Sequence, residues 1–63
     1  MTQKELLYYE DAYGHESSII KLIDNAIKTL SNPELVTFME EEKKKHEDLK
    51  HCLINVLEEI ANG

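Results

Sequence analysis

The sequence predicts an all-α fold: an antiparallel helical hairpin that pairs with a second copy to complete a four-helix bundle. Three observations predict it. Apolar residues recur three and four apart through both halves of the 63-residue chain. The one strong break, Ser31-Asn32-Pro33-Glu34, falls almost at the middle. The apolar stripe is also wider than the narrow seam that two helices alone require. Residues 1–63 form a single domain, with a helix over about 3–30, a turn at 31–33 and a helix over about 34–61.

The first helix opens on Thr2, with Glu5 three residues on at the spacing of a capping box. Leu6, Tyr9, Tyr13, Glu16, Ile20, Ile23, Ile27 and Leu30 then step along one face. Ala12, Ile19 and Ala26 widen that face on one flank. Gly14 weakens the helix by roughly 1 kcal/mol relative to alanine. It is either simply tolerated or marks a kink or the close approach of another helix.

Proline suits a helix's first turn and little else in a helix, so Pro33 starts the second helix. Ser31 or Asn32 caps it, and Ser31 to Glu34 again has capping-box spacing. Leu35, Met39, Glu42, His46, Leu49, Leu53, Val56 and Ile60 make the second ladder, flanked by Phe38 and Cys52. Glu40–Lys44 and Glu41–Lys45 are i,i+4 pairs in the favourable order, which makes the charge run a solvated face. Asn62-Gly63 supplies a stop. Folding at the turn sets Leu30 beside Leu35, Ile27 beside Met39, His46 level with Ile20, and Leu6 beside Ile60. The expected core and dimer contacts are Leu6, Tyr9, Tyr13, Ile20, Ile23, Ile27, Leu30, Leu35, Met39, Leu49, Leu53, Val56 and Ile60.

Size argues for the partner. Chains this short bury only about 60% of their unfolded surface, and most gain stability from disulfides, a metal or self-association. One cysteine, Cys52, excludes an internal disulfide, and no zinc-finger spacing is present. The expected partner is therefore a second copy, C2 dimers being the commonest oligomers. The net charge is -6, and every basic residue is lysine. An acidic chain without arginine is a poor match for nucleic acid or a membrane surface. The apolar stretch Leu6-Leu7-Tyr8-Tyr9 is too short for a signal peptide or a membrane span. The lone cysteine suits a reducing compartment, so the expected location is cytoplasmic by default, and a bacterial spore also fits.

Three residues break the apolar ladders: Glu16, Glu42 and His46. A buried carboxylate is costly unless paired, hydrogen-bonded or metal-bound. Three readings follow, the plainest being that the bundle is wet or splayed at that level. In the second, Glu16 and His46 form a buried hydrogen-bonded pair that fixes register and partner choice. Alternatively, Glu16, Glu42 and His46 from two copies supply four carboxylates and two imidazoles to a divalent transition metal, the ligand count of ferritin-like bundles. The spacing here is Glu-x-x-x-His, not the Glu-x-x-His of those bundles. His15 and His51 fall off the ladder. Asp48-x-x-His51 has ligand-like spacing on a surface face. Cys52 reads as a small buried hydrophobe at the flank of the core, with no pocket or third group to make it a nucleophile. Tyr9 and Tyr13 read as core aromatics.

The segments Glu10-Asp11-Ala12-Tyr13-Gly14-His15-Glu16, Asn32-Pro33-Glu34-Leu35 and Lys45-His46 resemble short two-helix clostridial proteins. Those are related in pattern to spore coat protein F and the ferritin-like superfamily. The resemblance implies a ferritin-like hairpin, spore-associated and without established catalysis, with Glu16 and His46 at the helix-borne carboxylate and histidine. The architecture is also similar to the Rop family of dimeric RNA-binding hairpins, but Glu10, Gly14 and Ser18 replace the basic face such binding needs. The functional expectation is a non-enzymatic structural or interaction protein with no cofactor. The alternative is a ferritin-like bundle holding iron, manganese or zinc.

Overall fold

A computed structural model describes residues 2–62, so the expected stop at Asn62-Gly63 lies partly outside the described residues. Two helices, α1 (Gln3–Thr29) and α2 (Pro33–Asn62), account for almost all of the described residues, which contain no strand. Cross-helix partners run in opposite directions, Asp24 meeting Lys43 and Glu16 meeting His46, so the helices are antiparallel.

Local chemistry sets the ends. Thr2 caps α1: its hydroxyl accepts from the Glu5 N–H at 3.1 Å and donates to the Glu5 carboxylate at 3.1 Å. Leu30 turns to extended backbone and closes α1 with its N–H on the Ala26 carbonyl at 2.9 Å. Lys28 in the last turn suits the negative end of the helix dipole. Asn32, rather than Ser31, caps α2. Its side-chain oxygen accepts from the N–H groups of Glu34 and Leu35 at 2.9 and 3.3 Å. Pro33 is the first helical residue, where its missing N–H costs nothing.

The hairpin is a rod of 46 × 15 × 12 Å with a radius of gyration of 14.6 Å. A compact chain of this length would have about 10.6 Å. The core is correspondingly thin: Ile23 is its one buried apolar residue among those described, and Glu16 is the buried polar one. Leu6, Tyr9, Tyr13, Ile20, Ile27, Leu30, Met39, Leu53, Val56 and Ile60 are half-buried.

Leu35 and Leu49 depart from the expected seam, each being 47% exposed. If Ile20, Ile27, Met39 and His46 are heptad position a, then Leu35 and Leu49 are d. The half-buried stripe of α2 takes in the e residues Val36, Lys43, Lys50 and Leu57 beside the a residues Met39, His46, Leu53 and Ile60, and keeps only Glu42 and Val56 of the d positions. On α1 the matching e residues Ser17 and Asp24 are also half-buried. Here the e edge closes, because lysine stems cover apolar surface while their heads find partners. Lys43 Nζ lies 2.7 Å from Asp24 Oδ1, and Lys50 Nζ sits 5.0 Å from the centre of the Tyr13 ring.

The charge run differs from expectation for the same reason. Lys43 leaves it to reach α1, and Lys45 pairs with Glu42 at 3.1 Å instead of with Glu41. Gly14 is an ordinary helical residue: a Cβ there would meet nothing within 4 Å, so no close neighbour in this hairpin accounts for it.

Candidate functional site: a buried carboxylate–histidine pair

Glu16 sits on the seam face of α1 between Tyr13 and Ile20, and its position in the ladder carries it inward whether or not its chemistry suits burial. It is 7% exposed. His46, half-buried on α2, turns its Nδ1 to Glu16 Oε2 in direct hydrogen-bond contact. Layer counting puts Glu16 level with Leu49, three residues from His46. That offset is about 4.5 Å at the helical rise, short enough for the two side chains to span along the seam. The pair engages Nδ1 and leaves Nε2 as the ring's second nitrogen. No buried side-chain nitrogen or oxygen among the described residues lacks a partner.

The structure therefore unites two of the three candidate metal ligands. Glu42, one turn before His46, is half-buried and held by Lys45 rather than by the pair. Among the described residues, no three His, Cys, Asp or Glu side chains come close enough together to hold a metal ion. One hairpin thus offers a cation two donors already bonded to each other. His15, Asp48 and His51 are exposed. Cys52 is exposed as well, not buried as its apolar surroundings in sequence suggested, because it lies on the edge of α2 that the hairpin leaves open. Tyr9 and Tyr13 are half-buried, as core aromatics at a rim would be.

A shallow cleft of about 240 Å³ opens on the other edge, with Tyr13, Ile20 and Ile54 as floor and Glu47, Lys50 and His51 around it. Pockets that enclose small molecules run from about 300 to 1,000 Å³. This one is smaller and holds no nucleophile.

Sequence reasoning missed Asp24–Lys43. The signal was present: in antiparallel helices, e positions meet e positions, and Asp24 and Lys43 are both e. The Asp24 carboxylate accepts from the Lys43 ammonium and, with its charge, holds the lysine pKa above the ordinary value. No described helix is long and apolar enough to cross a membrane.

The contact between Glu16 and His46 ties α1 to α2 at one level of the hairpin. It supplies no nucleophile, no oxyanion site and no complete ligand set. Set against protein-family models, curated proteins and solved structures, the chain matches none.

Proposed function

We propose that this chain is a small non-enzymatic structural or interaction protein that works as a homodimeric four-helix bundle, with Glu16–His46 as the element that fixes its register. Surface area carries the reading. The hairpin exposes 4939 Å². A compact folded chain of 7.3 kDa exposes about 4,200 Å². The excess, roughly 700 Å², is close to the ~800 Å² that each partner buries in a standard interface. The exposed material is also of the right kind: Leu22, Leu35, Phe38 and Leu49 are each 47% exposed or more. A buried polar pair inside a largely apolar seam is a known device for selecting one alignment over its neighbours.

Thermal unfolding across a hundredfold range of protein concentration tests this. Folding linked to dimerisation raises Tm with concentration. A Tm independent of concentration, with a cooperative transition, contradicts the proposal.

The juxtaposition of Glu16 and His46 supports a second reading, in which two hairpins bring two such pairs together around a divalent transition metal. Within one chain the donor set does not fit a metal, so the second copy must complete it. Elemental analysis of the native protein beside His46→Ala decides: metal present in the first and lost in the second supports this reading, and equal content in both ends it.

A further inference from the structure

The two edges of the hairpin differ in a way that selects where a partner sits. The e edge is bridged by Asp24–Lys43 at 2.7 Å and by Lys50 over Tyr13 at 5.0 Å. The opposite edge has no such closure among the described residues. In antiparallel helices, g positions share a side just as e positions do. Ala12, Ile19 and Ala26 of α1 and Phe38 and Cys52 of α2 are all g, so both flanking stripes emerge on the open edge. The d residues of α2 border them, and Leu35 and Leu49 there are each 47% exposed beside Phe38 at 53%.

Within that face Glu42 and Lys45 neutralise each other at 3.1 Å, between Leu35 and Phe38 on one side and Leu49 and Cys52 on the other. The open edge is thus an apolar strip with one self-paired polar layer near its middle. The closed edge, with its lysine heads and polar-rimmed cleft, offers no comparable strip.

We infer that the second copy docks on this open edge, over Ile19 of α1 and Leu35, Phe38, Leu49 and Cys52 of α2, leaving the Asp24–Lys43 edge facing solvent. This rests on the dimer reading above and adds its address. The occupant is a second copy because the surface in excess of a compact chain is close to one partner's share of a standard interface. Between Leu35 and Cys52 the strip's one ammonium, that of Lys45, is already paired with Glu42, so that stretch calls for no complementary charge. Docking there covers Cys52, which is exposed in the single hairpin.

Phe38→Lys and Thr37→Lys place the same charge on neighbouring residues, on the strip and off it. Sedimentation velocity over a concentration series reads both. Phe38→Lys is expected to weaken dimerisation by a hundredfold or more, and Thr37→Lys to leave it within about threefold, a hundredfold being 2.7 kcal/mol at 1.36 kcal/mol per decade. In the native protein, labelling of Cys52 by a thiol reagent slows as concentration rises through the dimerisation range. A native dimer that Phe38→Lys leaves intact, or Cys52 labelling at one rate throughout, overturns the docking face while the dimer stands. A native protein that sediments as one chain overturns the dimer reading itself. If Phe38→Lys does not fold, Cys52 labelling of the native chain decides alone.

Discussion

Replacing His46 by leucine isolates the cost of burying Glu16. In the native chain the Glu16 side chain is 9% exposed and that of His46 is 28% exposed. Breaking a fully buried pair by removing one partner costs about 3–5 kcal/mol, because the remaining charge stays buried. Water that reaches the histidine side reaches part of the cavity, so the expected loss for His46→Leu is about 2–3 kcal/mol. For a domain of this size that lowers Tm by about 10–20 °C. Glu16→Leu behaves differently. It forfeits a charge-assisted hydrogen bond of about 1.5–3 kcal/mol, regains a similar amount by burying leucine, and leaves the histidine able to meet water, for a net change within about 1 kcal/mol. The double replacement removes the desolvation cost altogether and is expected to exceed native stability by about 1–2 kcal/mol. Urea unfolding of the four proteins at one fixed concentration gives the cycle, with equal m-values as the check that the transition itself is unchanged. A His46→Leu protein as stable as the native one refutes this reasoning. So does a double variant weaker than His46→Leu.

Three other outcomes follow from the same structure. Gly14→Ala, whose new methyl meets open space, raises stability by about 0.5–1 kcal/mol in the same urea assay. Asn32→Ala strips the α2 cap of an acceptor for two N–H groups and lowers stability by about 1 kcal/mol, whereas Ser31→Ala is nearly silent. Because Asp24 raises the Lys43 pKa, the stabilisation from that pair is fully present below the unfolded-state value of lysine and fades as pH climbs through the higher folded value. NMR titration of the Lys43 ammonium should therefore find its pKa above the ordinary lysine value in the native chain and back at that value in Asp24→Asn.

What the sequence made legible followed periodicity and punctuation. Ladders with a three-four step, one proline at mid-chain and a polar cap before it leave little besides a helical hairpin, and that much stands. Glu16 and His46 also declared themselves, as polar residues where apolar ones belong. The rotation of α2 was not legible. Heptad counting treats both flanks of a seam alike, whereas the closed flank is decided by which long side chains can cross it, and here Lys43 and Lys50 do. That single choice moved Leu35, Leu49 and Cys52 out into solvent and left Glu42 with Lys45. Local charge spacing misled at Lys45, which meets Glu42 three residues back rather than Glu41 four back, while Lys43, outside both expected pairs, reaches Asp24 across the seam.

Sedimentation equilibrium of the native chain at micromolar concentration puts the central claim to the most direct test. The account expects a species of twice the 7.3 kDa chain mass that dissociates and loses helix together on dilution. A species of one chain mass that stays helical and unfolds cooperatively contradicts it.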